Sequence, residues 1–412
     1  MKLKLLPLLL LFTFNMLAQD YKGVAYMPSY RMANLSSLNY NLITHVMASF
    51  ANPDDNGNMS FDYDIDYFVT TVHNNNAKAV VSIGGGGDFS WGSKVVIYEN
   101  LLKTQASRTS FIAKIMNYLR DHKLDGLDND IEGNALALST FNVFSQELGD
   151  SIHAQGLEYS AAIGVGGSWG VNYWDDATLH KLDFMMTMSY GGVGSWNWNI
   201  KNDDHTFAKM KKDMEFFTVT KNISKDKVIG GIPFYSVEFP SSPQSNYNGY
   251  MKTICSIYND PQFAGQDPIH SDTLYTTGGN PVYINSIQTI QKKMDYCNDF
   301  GGGVMIWEAG QDCYDGSVSL LDSMYAYKQA KSLNAMETGV TEVSVYPNPS
   351  SGLLTIQTGN SALLNYTVFD ALGKALKKGS EQVVLLNKLS PGTYFIRILF
   401  SEEQKTLKFI LE

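Results

Sequence analysis

Asp125-Gly126-Leu127-Asp128-Asn129-Asp130-Ile131-Glu132 is the stretch that decides the reading of this chain. It follows a helical pattern and reads as a strand, in which successive side chains point to opposite faces. Asp128, Asp130 and Glu132 therefore share one face, with Leu127, Asn129 and Ile131 on the other. Neighbours on the acidic face stand about 6–7 Å apart along the strand. Three carboxylates at that spacing cannot all ionise cheaply, so at least one pKa must rise. A raised pKa is what a general acid needs to hold its proton near neutral pH. Glu132 is the last of the three, at the C-terminal end, where a strand of a parallel barrel presents side chains to a ligand. A calcium site is the competing reading, but calcium loops place Asp and Asn in a turn with a glycine inside it. A merely solvated strand would not need its carboxylates confined to one face.

Outward from this stretch, short apolar runs alternate with amphipathic ones between residue 21 and about residue 330. The runs predict strands at Gly23–Tyr26, Ile43–Phe50, Lys78–Ile83, Gly126–Ile131, Glu158–Ile163, Phe184–Ser189, Val228–Ile232 and Gly303–Trp307. Helical patterns lie between them. Arg108–His122 puts Phe111, Ile112, Ile115, Met116 and Leu119 on one face, and Asn285–Asn298 does the same with Ile287, Ile290, Met294 and Cys297. Strands and helices alternating over this length predict an α/β fold, a (β/α)8 TIM barrel over residues 19–333. An open doubly wound sheet is disfavoured, because no Gly-rich phosphate loop opens a helix. Residues 334–342 read as a linker. Then come the alternating runs Val343–Tyr346, Leu353–Gln357, Tyr366–Phe369, Val383–Leu386, Tyr394–Leu399 and Thr406–Ile410, broken by turn residues such as Pro347-Asn348-Pro349 and Ser390-Pro391-Gly392. They predict a small C-terminal β-sandwich over 343–412, with no cluster of chemical groups in it.

Composition bounds the function. Of 412 residues, 44% are hydrophobic and 17% charged, so the chain is globular. The net charge is −10 and no basic patch is interleaved with aromatics, which argues against nucleic acid. Residues 1–18 read as a signal peptide: Lys2 and Lys4, then the apolar run Leu5–Leu11, then Ala18 at a plausible cut. Cys255, Cys297 and Cys313 are an odd set for an exported chain, leaving at least one thiol unpaired and room for one disulfide. None has metal-site spacing; no metal and no cofactor is expected.

Asp125–Glu132 resembles the signature of glycoside hydrolase family 18, the chitinases and endo-β-N-acetylglucosaminidases. Other pieces follow in order at barrel spacing: Ser82-Ile83-Gly84-Gly85 on the third strand, Met188-Ser189-Tyr190 on the sixth, Ile232-Pro233-Phe234-Tyr235 on the seventh, and Gly302-Gly303-Val304-Met305-Ile306-Trp307-Glu308 on the eighth. Tyr26 and Phe50 fall where the first two strands supply aromatics near the reacting sugar. The resemblance implies catalytic roles for Glu132, Asp130, Asp128 and Tyr190. Glu132 would protonate the glycosidic oxygen, Asp130 would help hold the substrate's acetamido group, and Asp128 would share a proton behind it with Ser82 and Tyr26 as supports. Tyr190 would hydrogen-bond the acetamido group, which itself attacks the anomeric carbon, and Trp307 would floor the sugar site. Met188, Tyr26, Phe50, Ser82, Trp91, Trp169 and Trp196 complete the substrate-binding set, with Tyr173, Trp174 and Trp198 as further loop aromatics. The expected activity is retaining, substrate-assisted, endo-acting hydrolysis of β-1,4 bonds next to N-acetylglucosamine in chitin or chito-oligosaccharides. An endo-β-N-acetylglucosaminidase acting on N-glycans is the alternative, and a non-catalytic sugar-binding protein the second; lectin-like relatives usually lose the final Glu, which is intact here.

The sequence departs from the family in three places. Asn129 stands where an apolar residue is usual and must find a hydrogen-bond partner in the helix layer. Gly191 follows Tyr190 where an acidic or amide residue is common. Residues 236–300 are short for a full α+β insertion, which predicts a shallower groove. The tail, with Val345-Tyr346-Pro347-Asn348-Pro349, Leu372-Gly373-Lys374 and Leu389-Ser390-Pro391-Gly392-Thr393-Tyr394, resembles the C-terminal sorting domain of the type IX secretion system. That implies a Bacteroidetes-type bacterium, the secretion machinery as partner, and passage via the periplasm to release or hold at the outer-membrane surface, with the tail removed or exchanged for an anchor; the protein is expected to be a monomer. A carbohydrate-binding module is the competing reading; it would expose aromatics, and the tail's Tyr346, Tyr366, Phe369, Tyr394, Phe395, Phe400 and Phe409 fall mostly where strands look inward.

Overall fold

The computed structural model describes residues 21–166, 170–192, 199–203, 205–239, 251–315, 318–338, 343–358, 363–371, 373–399 and 404–412. The signal peptide expected at 1–18 lies outside them, as do Trp169, Trp196 and Trp198. The chain divides into two compact units, Met1–Tyr327 and Lys328–Glu412.

In the first unit eight strands close a barrel: β1 (Lys22–Pro28), β2 (His45–Ser49), β3 (Lys78–Gly84), β4 (Gly126–Asp130), β5 (Glu158–Ile163), β6 (Phe184–Thr187), β7 (Val228–Pro233) and β8 (Gly303–Trp307). All neighbours pair in parallel, and β8 returns to β1 with Lys22 opposite Gly303. Helices cover the barrel because each carries an apolar stripe. The helix α1 (Gln105–Asp121) starts at a capping box between Thr104 and Ser107 and buries Phe111, Ile112, Ile115 and Leu119; Met116, expected on that stripe, is only partly buried. Helix α2 (Ile287–Phe300) is capped by Ser286, buries Ile290, Met294 and Cys297, and stops at Gly301 in a left-handed conformation.

The barrel strands are buried on both faces, so their residues sort into two apolar layers. Ala25, Val46, Val81, Leu127 and Ile131 pack outward under the helices. Val24, Tyr26, Met47, Val80, Met186, Ile229 and Met305 fill the interior. Asn129 belongs to the outward layer and is fully buried. Its Nδ2 donates to Tyr159 Oη at 2.9 Å and, more weakly, to Ser145 Oγ at 3.4 Å, and its Oδ1 accepts from the Ile131 amide. The partner an out-of-pattern amide requires is thus supplied by the next strand and the helix above it.

Between β7 and β8, Val237–Glu238, Pro281–Tyr283 and Thr273–Tyr275 form a small antiparallel sheet, accompanied by the short helix Ile254–Tyr258. A disulfide joins Cys255 to Cys313, and Cys297 remains a buried free thiol. The helix Leu320–Thr338 runs into the residues expected as a linker from 334, so extended chain begins later than composition suggested. Few large apolar side chains mark that segment, but helix propensity does not need them: Ala, Lys, Leu, Met and Glu are all good helix formers.

The second unit holds two antiparallel sheets. One orders Ser344–Tyr346, Leu353–Gln357 and Val383–Leu385; the other orders Ala375–Gly379, Asn365–Asp370, Gly392–Leu399 and Gln404–Leu411. Val345, Leu354, Ile356, Tyr366, Val368, Val384, Ile396, Ile398 and Phe409 form its core. Sequence patterning missed Ala375–Gly379, an edge strand without a buried face whose two lysines carry no alternating apolar signal. Of the tail aromatics, Tyr366, Tyr394 and Phe409 are buried, Tyr346 is exposed and Phe400 lies outside the described residues.

The seam that closes the barrel yields a stability test. Gly303 has φ +126°, and a Cβ there would stand well inside van der Waals contact of the Lys22 carbonyl oxygen on β1. Gly156 also has positive φ (+70°) but faces open space. Gly156→Ala should cost about 1–2 kcal/mol for its backbone conformation alone. Gly303→Ala should cost clearly more, read as the larger fall in the urea unfolding midpoint; equal costs would mean that the seam tolerates a side chain.

Candidate active site

Register builds the site. Ser82 on β3 and Ser160 on β5 stand directly opposite Asp128 on β4, so their side chains share its inward face. Tyr26 reaches it from β1. Asp128 Oδ2 accepts from Tyr26 Oη at 2.7 Å and Ser82 Oγ at 2.6 Å, and Oδ1 accepts from Ser160 Oγ at 2.8 Å. Asp128 is fully buried; burial raises its pKa, while the three hydroxyls pull the other way.

Asp130, two residues on, is also buried, and its Oδ1 has no hydrogen-bond partner. Burial, then the charge of Glu132, then that of Asp128 hold its carboxyl well above the ordinary range. Glu132 lies just past the last residue of β4, still extended (φ −124°, ψ 173°), and is only partly buried. Burial pushes its carboxyl up to about 7. The strand thus grades from a three-donor anion site at Asp128, through an unsatisfied carboxyl at Asp130, to a carboxyl at the mouth that binds its proton near neutrality.

Asp130 and Glu132 meet in a cavity of about 460 Å³ at the C-terminal ends of the strands. Asp130, Glu132, Tyr190, Tyr26, Tyr235, Trp307, Met188, Trp91, Ala162, Gly86, Gly191 and Gly192 line it. Trp307 is held edge-on against Tyr26, ring centroids 5.3 Å apart, and lies 6.0 Å from Phe50. Tyr190 Oη donates to Met305 Sδ at 3.7 Å, a weak bond that leaves the hydroxyl available for a better acceptor.

The expected residues divide into four sets. Glu132, Asp130, Tyr190, Trp307, Met188, Tyr26 and Trp91 line the cavity. Asp128 and Ser82 lie behind it, fully buried, and Ser82 spends its hydroxyl on Asp128; the reading of Ser82 as a sugar contact is corrected to a support of the acidic strand. Phe50 is outside the lining and packs beside Trp307 and Gly85. Trp174 is buried edge-on against Phe141, 4.9 Å away, and serves loop packing instead of a subsite. Trp169 and Trp196 fall outside the described residues. Gly191, with φ +78°, forms part of the wall where the family usually carries a polar side chain. Ser160 escaped the sequence reading, and Tyr235, quoted there only as part of the seventh-strand motif, was given no site role. Ser160 was findable: it is a hydroxyl on an apolar strand, at the even spacing that faces inward, next to the acidic strand.

With this geometry in view, comparison places the chain among known proteins. Residues 22–312 match the family described as Glycosyl hydrolases family 18, and residues 344–412 match the Secretion system C-terminal sorting domain, which marks a chain for secretion or attachment at the cell surface. The fold is similar to that of the chitinase ChiB from the chitin utilization locus of Flavobacterium johnsoniae, with 28% identity and a TM-score of 0.65, covering 76% of this chain and 96% of that one. It is also similar to a chitinase from Bacteroides thetaiotaomicron, at 20% identity and a TM-score of 0.62, over 74% of this chain and 96% of that one. Among curated sequences, Probable chitinase 10 of Drosophila melanogaster is 23% identical over 72% of this chain, and the alignment spans 15% of that longer protein. Human Chitinase-3-like protein 2 is 24% identical over 67% of this chain and 81% of its own length. A closed barrel, an acidic strand with its last carboxyl in the cavity, and a family match covering most of the chain lead to one conclusion: this protein belongs to glycosyl hydrolase family 18 and carries a C-terminal sorting domain of the type IX kind.

Proposed function

We propose that the barrel hydrolyses β-1,4 bonds next to N-acetylglucosamine in chitin or chito-oligosaccharides, by a retaining, substrate-assisted, endo-acting route. One observation carries the reading: Glu132, whose carboxyl burial pushes up to about 7, shares the cavity with the unpartnered buried Oδ1 of Asp130. Among the described lining residues these two are the carboxylates, and they are neighbours on one strand face. A double displacement on an enzyme carboxylate would need a second one across the sugar, about 5 Å from the acid. The pair here is better suited to a substrate that brings its own nucleophile.

The steps follow from the residues. Glu132 gives its proton to the glycosidic oxygen as that bond breaks. The carbonyl oxygen of the 2-acetamido group on the same sugar attacks the anomeric carbon and closes an oxazolinium ring. The Asp130 carboxylate, turned to the cavity, accepts from the acetamido N–H, which is the partner its Oδ1 lacks. Tyr190 donates to the acetamido oxygen and Trp307 lies under the sugar ring. Glu132, now ionised, takes a proton from water as that water opens the ring, so the product keeps the β configuration and the acid is restored. Asp128, with its three hydroxyl donors, can take up the proton or charge that Asp130 gives up as it turns. The chitinases similar in fold support the substrate class, and the sorting tail supports export through the periplasm by the type IX machinery.

Glu132→Gln should lower kcat by about 10²–10⁴-fold while substrate still binds, because the amide keeps the shape and cannot act as an acid. Near-normal turnover would remove Glu132 from the mechanism. In the wild type the acid must be protonated to act, so kcat/KM should fall as pH rises through about 7, the value set by its burial; a rate flat to pH 9 contradicts this. Proton NMR of fresh product should show the β anomer first, and a thiazoline analogue of the closed ring should inhibit. Initial α product excludes the acetamido route. A chain ending at Thr338 should match the full chain on a soluble chito-oligosaccharide and, in its bacterial host, stay in the periplasm. Normal secretion with lost affinity for insoluble chitin would make the tail a carbohydrate-binding module.

A further inference from the structure

Directly after Glu132 the chain turns at Gly133, with φ +59°. A Cβ there would stand 2.7 Å from the Ser90 carbonyl oxygen, 2.7 Å from Trp91 Cδ2 and 2.8 Å from Trp91 Cε2. The fused bond of the Trp91 indole therefore lies against Gly133, in space that any other residue at 133 would fill.

The loop that delivers Trp91 is built to hold it there. At the end of β3 and just beyond it, Gly84, Gly85 and Gly87 take φ values of +91°, +77° and +87°, which fold the chain back on itself. The amides of Ser90 and Trp91 both donate to the Gly87 carbonyl, at 3.1 and 2.7 Å, and Ser90 Oγ donates to the Gly85 carbonyl. Two further bonds fasten the loop to the acid's own segment: the Gly85 amide donates to Asp130 O at 2.7 Å, and the Asn134 amide donates to Ser90 O at 2.8 Å. Glu132 sits midway between those two attachment points. Trp91 remains 46% exposed and lines the cavity beside Glu132.

We propose that Trp91 is a positioning residue for Glu132: its indole, clasped on Gly133 by the loop from β3, fixes the acid's backbone and screens one side of its carboxyl from water. This goes beyond the wall it offers a sugar, and it rests on the reading of Glu132 as the acid. It also explains a local oddity, since a half-exposed tryptophan gains little from burial yet is held by a loop with three left-handed glycines.

Screening has a measurable consequence, because burial is what keeps the Glu132 proton bound near neutrality. The titratable groups around it are Asp130 and Asp128 on its own strand, Tyr190 after β6, Tyr26 from β1, Tyr235 after β7, and Asp88 within the loop itself, beside Gly92. Replacing Trp91 leaves all of them in place, so a moved titration reports water at the carboxyl.

The test is the pH profile of kcat/KM on a soluble chito-oligosaccharide, for Trp91→Ala and Trp91→Phe in the full chain, with unfolding midpoints as a check on folding. Trp91→Ala should move the alkaline limb down by about one pH unit and lower kcat, not only raise KM. Trp91→Phe, which keeps a ring on Gly133, should restore most of the limb. Gly133→Ala, with Trp91 intact but displaced, should reproduce the downward shift. A Trp91→Ala enzyme with raised KM and an unmoved limb overturns the proposal and makes the indole a sugar platform alone. If Glu132→Gln retains activity, the assignment of the acid fails instead, and the two failures are told apart by that variant.

Discussion

The crowding of three carboxylates on the inward face of a single strand is the constraint on which the rest of the site depends. A barrel interior excludes water, so each added charge there costs more than on the surface. The structure meets that cost unevenly. Asp128, deepest, is given three hydroxyl donors from three different strands. Asp130 is given none at Oδ1. Glu132, at the mouth, is left with its proton bound to about pH 7. Unequal satisfaction of like groups is what separates their chemistry, and it is written in the register of β3, β4 and β5.

Much of this was legible in the chain itself. Alternation of apolar and acidic residues in Asp125–Glu132 assigned the faces of β4, and eight apolar runs separated by amphipathic ones gave the barrel, because parallel strands buried on both sides must read as apolar runs. The site residues carried by strand ends, such as Trp307 and Tyr190, were reachable for the same reason. What escaped was of three kinds. Ser160 carries an inward-facing signal in its own strand, but that it stands directly opposite Asp128 is a matter of register, which neither strand shows alone. Loop aromatics look alike in sequence whether they face a cavity, as Trp91 does, or a helix, as Trp174 does. The edge strand Ala375–Gly379 has no buried face and so no pattern to read.

Asn129 shows how a local rule can be broken at low cost. A buried amide in a core layer is expensive when unpaired, worth about 1–3 kcal/mol. Here Tyr159 and Ser145 bond each other at 2.6 Å and both receive the amide, so a small polar network replaces what an apolar side chain would fill. That network lies on the opposite face of the same strand as the acids, and it tethers β4 to β5 and to the helix Phe141–His153 above. The strand that must hold three repelling groups is thereby fixed from behind.

The central claim is that desolvation on this strand leaves Glu132 holding a proton near neutrality. The most direct measurement is a carbon NMR titration of the protein labelled at its Glu side-chain carboxyls, run beside Glu132→Gln to assign the resonance. One Glu carboxyl should titrate with a midpoint near 7, well apart from the surface glutamates, and be absent from the variant. If every Glu carboxyl, including the one lost in the variant, has finished titrating below about pH 5.5, in the ordinary glutamate range, the account of the site is wrong.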